Sequence, residues 1–207
     1  MILDDPTKVF EAAPHERRDW TYAAPSFHLK RLSTPTAQVV CAVRRSYTAV
    51  HRDEPTATIL DMADGLFDDE NWAARLVACE LVAMRADVTR RLTGVIVERW
   101  AQGLADWGSI DMYGVTLAGR TWREGRLSDR RVMRWARSSD RWRRRLALLT
   151  TVPLNSRARG GRGDSDRTLD VCRALVDDRD DMVVKALSWV PREAREETPR
   201  PCRAFRW

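Results

Sequence analysis

From Thr36 onward, apolar residues recur every three or four positions in block after block, and short polar breaks separate the blocks. That spacing is the helix period, and the two-residue alternation of a half-buried strand is scarce. The pattern predicts helices over 36–51, 55–67, 70–84, 87–103, 106–119, 128–138, 140–152, 165–177 and 180–197. Asp69 before ENWAARLVACELVAM, Ser128 before DRRVMRWAR and Asp140 before RWRRRLALL are residue types that cap helix N-termini. Residues 1–32 carry prolines at 6, 14 and 25 and read as irregular.

Within this pattern a weak repeat emerges. Trp72 opens NWAARLVACEL, Trp107 opens WGSIDMYGVTLAG, Trp142 opens WRRRLALL and Met182 opens MVVKALSWV, at intervals of 35, 35 and 40 residues. Three of these segments place a basic residue three positions on, at Arg75, Arg145 and Lys185. A helix pair cannot bury its apolar face alone, so a period near this length predicts stacked pairs, as in HEAT-like solenoids. The expected fold is all-α, an α-α superhelix with a concave basic groove.

Composition sharpens the picture. The chain has 207 residues, 43% of them hydrophobic and 32% charged, which is a globular balance. Its net charge is +6, and lysine occurs only at 8, 30 and 185, so the positive charge is almost wholly arginine. Fourteen arginines fall between Arg120 and Arg162 against Glu124, Asp129 and Asp140, leaving that span at +11 and the rest of the chain net acidic at −5. Such asymmetry points to a phosphate-bearing partner, since arginine pairs bidentately with phosphate. Trp122, Trp135 and Trp142 are interleaved with this span, although each could equally be a core residue. The glycine-rich loop NSRARGGRGDSD at 155–166 fits neither a P-loop nor a dinucleotide fingerprint. Cysteines at 41, 79, 172 and 202 form no CxxC, and histidines at 15, 28 and 51 offer no zinc spacing. The first residues, MILDDPTKVFEAAP, lack a signal-peptide core, and no apolar run is long enough to span a membrane. A cytoplasmic location follows as the expectation.

The stretch DWGSID at 106–111 places a carboxylate four residues after a tryptophan, on one helix face. Together with RWRRRLALL (141–149) and DDMVVKALSWVPRE (180–193), in that order and spacing, it resembles the AlkD-like DNA alkylation repair family, which are HEAT-like repeat DNA glycosylases. LFDDENWAARLVACEL (66–81) and RLSTPTAQV (31–39) fit earlier repeats of the same family. The resemblance implies a repair domain over 31–199, an irregular segment at 1–30 and a short tail at 200–207 where relatives carry further helix.

It further implies that Asp111 is the catalytic carboxylate, that Trp107 and Trp189 contact DNA, and that Arg145 is the active-site arginine. Arg144 beside it, and Lys185 as its counterpart in the next segment, complete the expected DNA-contacting set. The implied substrate is double-stranded DNA carrying cationic N3- or N7-alkylated purines, with no cofactor or metal and with the chain acting as a monomer. Arg145 is expected to hold the Asp111 pKa low. Pro191 is expected to bend or end the last helix. The competing reading is a HEAT-repeat protein that binds damaged or unusual DNA without cleaving it, and a third is a protein–protein scaffold. A carboxylate in a phosphate-facing groove favours the enzyme, because in a pure binder it would only repel the backbone.

Overall fold

The computed structural model describes the backbone of residues 45–196 and the side chains of residues 45–190. Every regular element among the described residues is helical. None of these helices is long and apolar enough to cross a membrane. The segment at 1–30 and the tail at 200–207 lie outside the described residues. Backbone contacts divide the chain into two compact units, Met1–Met84 and Arg85–Trp207.

In the first unit, residues 45–50 are helical and are followed by α1 (Thr56–Asp68) and α2 (Trp72–Ala83). Helix α1 buries Ile59, Ala63, Leu66 and Phe67, one stripe at helical spacing, and packs on α2. The cap of α2 is Asn71, whose side chain accepts from the Ala73 amide at 3.0 Å. Asp69, the expected cap, instead accepts from the Asn71 amide at 2.7 Å, because the helix starts one residue before Ala73, at Trp72.

The second unit contains α3 (Ala86–Arg91), α4 (Gly94–Trp100), α5 (Trp107–Tyr113), a π turn (Gly114–Ala118), α6 (Gly119–Arg123), α7 (Asp129–Ala136), α8 (Arg141–Leu149), α9 (Val152–Asn155), a 3-10 turn (Arg157–Arg159), α10 (Ser165–Leu175) and α11 (Asp181–Glu196). The helix expected over 87–103 is two helices. Thr93 breaks it by capping α4, its hydroxyl accepting from Ile96 N at 3.4 Å, and Arg126 donates to the carbonyls of Thr89 and Leu92 that the break exposes. Helix α11 runs through Pro191 to Glu196, so the proline does not end it.

The centre of this unit is α8. It packs against α5, the π turn, α7, α10 and α11. Although three consecutive arginines run through it, its residues Arg145 to Leu149 are all buried. The helices around it are tied by side chains at a recurrent separation. Arg126 reaches Thr89, Arg131 reaches Gly94, Trp135 reaches Glu98, Arg145 reaches both Asp111 and Met182, and Arg144 reaches Asp178, all 34 to 37 residues apart. The weak 35-residue period of the sequence thus matches the separation of these ties.

Candidate active site

The DWGSID stretch builds the start of α5. Asp106 is its N-cap, accepting from the Ser109 amide at 2.8 Å, so the helix begins at Trp107. Trp107 sits on that first turn with 36% of its surface exposed, whereas Asp111, one turn on, is 3% exposed.

Close backbone approach seats Asp111 against α8. A Cβ on Gly114 would lie 2.7 Å from the Leu149 Cβ, and one on Gly119 would lie 2.6 Å from the Thr150 carbonyl oxygen. In a regular α-helix two residues five apart point about 140° away from each other. The π turn reduces that divergence: the Gly119 amide donates to the Gly114 carbonyl, five residues back, so Gly114 meets Leu149 on α8 and Gly119 meets the Thr150 carbonyl and Pro153 just beyond it. Asp111 lies three residues before Gly114 and Arg145 four before Leu149, so the two helices run in the same direction in register.

The result is a buried, bidentate ion pair. Arg145 Nε donates to Asp111 Oδ1 at 2.7 Å and Nη2 donates to Oδ2 at 2.6 Å. Arg145 is 1% exposed, and its Nη1 donates to the Met182 carbonyl at the start of α11. One guanidinium thus joins three helices. Burial pushes the Asp111 carboxyl above its ordinary value and the Asp106 charge adds to this, while the hydrogen bonds and charge of Arg145 act in the opposite direction without reversing it. The expectation that Arg145 would leave the carboxyl low is therefore not met, because desolvation of the carboxylate outweighs the pairing. Both carboxylate oxygens keep a second lone pair beyond the one each gives to Arg145.

The other expected residues are distributed differently. Arg144 is turned away from Asp111 and held by Asp178, with Nε–Oδ2 at 2.6 Å, and by the carbonyls of Ser138 at 3.0 Å and Ser139 at 2.8 Å. Burial acts to raise the Asp178 carboxyl, but hydrogen bonds from Arg144 and the Asp180 amide, with the Arg144 charge, hold it below its ordinary value. Lys185 pairs with Asp181 on its own helix at 2.5 Å. Trp189 is on α11 and 6% exposed. Trp122 and Trp135 are core residues at 1% and 2% exposure, their indole N–H groups donating to Asp129 and Glu98. Glu98 also pairs with Arg131, Arg134 and Arg143, so part of the arginine cluster is spent inside the protein. Arg130 and Arg137 are exposed around α7, as are Arg134 and Arg141, although these two also pair with Glu98 and Asp180.

Asp178 and the Gly114–Gly119 contact were not singled out from the sequence. Asp178 follows Arg144 by the same 34 residues that separate Asp111 from Arg145, a signal that aligning the repeats would have exposed. Among the described residues, no group of three or more His, Cys, Asp and Glu side chains could hold a metal ion.

Neither a curated protein nor a solved structure matches the chain. The family model described as DNA alkylation repair enzyme matches residues 32–205. That span takes in every helix that builds the carboxylate–guanidinium pair and the glycine contact seating it, and with it the chain belongs to the DNA alkylation repair enzyme family.

Proposed function

We propose that this repair enzyme is a DNA glycosylase that hydrolyses the N-glycosidic bond of cationic N3- or N7-alkylated purines in duplex DNA, as a monomer without cofactor or metal. The observation that carries the reading is Asp111: a buried carboxylate, fixed by a two-pronged arginine, one helical turn from an exposed tryptophan.

The chemistry follows from the charge of the lesion. An alkylated purine that already carries a positive charge leaves without being protonated, so the reaction needs no general acid. Breaking the bond builds positive charge on the deoxyribose, as in other oxocarbenium-like transition states. A preorganised carboxylate stabilises that charge without reorganising at the moment of reaction. The Arg145 fork sets the orientation of Asp111, and the remaining lone pairs would serve the sugar and the attacking water where the bound duplex meets this buried carboxylate. Trp107 would pack against the sugar and attract the cationic base through its ring face, with Trp189 as its partner in the family pattern. The duplex would lie in the concave basic groove that the resemblance implies. Arg144 and Lys185 would reach its phosphates by exchanging the carboxylates they hold.

The test is base release from methylated duplex DNA, measured for the wild type and for Asp111→Asn. Removing one preorganised electrostatic group from such a site typically costs about 10²- to 10³-fold in rate. The reading therefore expects a loss of that order with duplex binding retained. Equal release by the variant would remove Asp111 from the mechanism. No release by the wild type, with salt-sensitive duplex binding intact, would leave a DNA-binding protein without catalysis.

A further inference from the structure

A second positively charged site lies in the same unit, at the far end of the helix that carries Asp111. Arg123, Leu154, Gly160, Arg162, Asp164 and Arg167 line a cleft of 470 Å³. Asp111 and Arg123 are twelve residues apart along α5, the π turn and α6, which separates them by about 18 Å along the helix axis. The cleft is therefore distinct from the carboxylate–guanidinium pair.

Three guanidinium groups face one carboxylate there. Arg167 is fixed in place: its Nε donates to Asp164 Oδ2 at 2.6 Å and its guanidinium lies over the Trp122 ring at 4.9 Å. Asp164 is further engaged as the cap of α10, accepting from the Arg167 amide at 3.2 Å. Arg123 lies against Gly160, where a Cβ would approach its Nη1 to 3.1 Å. That Nη1 is buried and has no hydrogen-bond partner among the described residues, while Nη2 lies 3.4 Å from the Glu124 carboxylate. Glu124 is also shared with Arg120 and Arg126. Arg162 is exposed and its side chain has no partner among the described residues. A buried guanidinium N–H without an acceptor costs free energy, and the arrangement is explained if an acceptor binds. Asp129 Oδ1 lies 3.6 Å from Arg167 Nη1 outside the cleft lining, so of the three arginines it is the unpaired Arg162 and the buried Arg123 Nη1 that leave donors open. Several guanidinium groups converging on one cleft suit a polyvalent oxyanion with several acceptor oxygens.

We infer that this cleft binds a phosphoryl group through Arg123, Arg162 and Arg167, supplied either by the DNA backbone or by a free phosphate ester. The DNA source rests on the glycosylase reading, whereas the phosphate chemistry stands without it.

Two measurements on the full chain test the inference. In the first, inorganic phosphate is titrated at ionic strength held constant with sodium chloride, and the amide resonances of Gly160, Gly161 and Gly163 are followed. Saturable shifts of these amides are expected in the wild type, with binding at least ten-fold weaker in Arg162→Gln, an exposed position whose replacement leaves the core intact. In the second, undamaged duplex affinity is measured against salt. A salt slope lower by about one in Arg162→Gln would assign the phosphoryl group to the DNA backbone. An unchanged slope, with the phosphate shifts present, would assign it to a free ester. Absence of saturable shifts in the wild type, or shifts that chloride reproduces, overturns the site whatever the slope does. Base release from methylated DNA is read separately, so its absence would count against the glycosylase and leave the phosphate result standing.

Discussion

The Asp111–Arg145 pair can be tested for its structural and its catalytic part separately, because the two respond oppositely to a double substitution. Asp111→Leu strands a guanidinium that is 1% exposed and cannot shed its proton. Leaving such a charge uncompensated costs about 3–5 kcal/mol. Arg145→Met strands a carboxylate instead, and also the Met182 carbonyl that Arg145 serves. Asp111 can take up a proton, so the loss in this variant is expected to be smaller and to shrink as pH falls. Combining the two replaces an ion pair by apolar side chains of similar size, which is neutral or stabilising in comparable cores. The double variant is therefore expected to regain most of the loss, all but the part due to the stranded Met182 carbonyl, with a coupling of about 3 kcal/mol, at the upper end of what neighbouring residues show. Urea unfolding of the wild type, both single variants and the double variant measures this directly. Base release from methylated DNA, run on the same four proteins, is expected to be lost in all three variants, including the one whose stability returns. Stability losses that simply add in the double variant would refute the buried pair. Activity that returns along with stability would refute the catalytic carboxylate.

Three further outcomes follow from the same geometry. Base release is expected to fall as pH drops through a value above the ordinary aspartate range of about 3.9, because only the ionised Asp111 stabilises the sugar cation and burial raises its pKa. A log-rate profile that stays flat down to the ordinary aspartate range would contradict this. For stability the sign is the reverse: a raised carboxyl holds its proton better in the folded chain, so its contribution is present below the unfolded value and is lost as pH rises through the folded one. Asp178 behaves oppositely, since its folded carboxyl is lowered. Its contribution is present above the unfolded value and lost on acidification, and Asp178→Asn is expected to flatten the acid limb of a stability-versus-pH curve. Gly119→Ala places a methyl 2.6 Å from the Thr150 oxygen and 2.7 Å from Pro153 Cδ, overpacking of a kind that costs about 1–3 kcal/mol. Thermal unfolding would show it, and an unshifted midpoint would mean that the helices do not meet at that glycine.

What the sequence displayed was periodic, and what it concealed was relational. The spacing of apolar residues located most helices to within a few residues, and the tryptophan intervals anticipated the 34- to 37-residue ties. The residue types at 111 and 145 pointed to one another only through the family resemblance, and the structure joins them by two hydrogen bonds. The partners of charged side chains were not legible. Arg144 and Arg145 are neighbours with identical chemistry, yet one holds Asp178 and the other Asp111, because successive residues of a helix point about 100° apart. Nor could composition separate the exposed arginines from those spent inside. Arg126 and Arg131 count equally in a net charge with Arg137, but Arg126 serves the carbonyls at the end of α3 and Arg131 donates to the Gly94 carbonyl at the start of α4.

The π turn between Tyr113 and Gly119 also bears on how this helix tolerates changes of length. A π turn accommodates one residue more than an α-helix needs to join the same two ends. Deleting a single residue from Val115–Ala118 would let the ladder close at four residues instead of five, leaving Gly114 and the glycine after it about 40° apart on one face. Both flanks would keep their places, with Asp111 still opposite Arg145. The same deletion between Trp107 and Asp111 has no slack to draw on and would swing the tryptophan about 100° around the axis relative to the carboxylate. Among relatives of differing length, the gap in this helix should therefore fall within 115–118 and nowhere closer to the carboxylate.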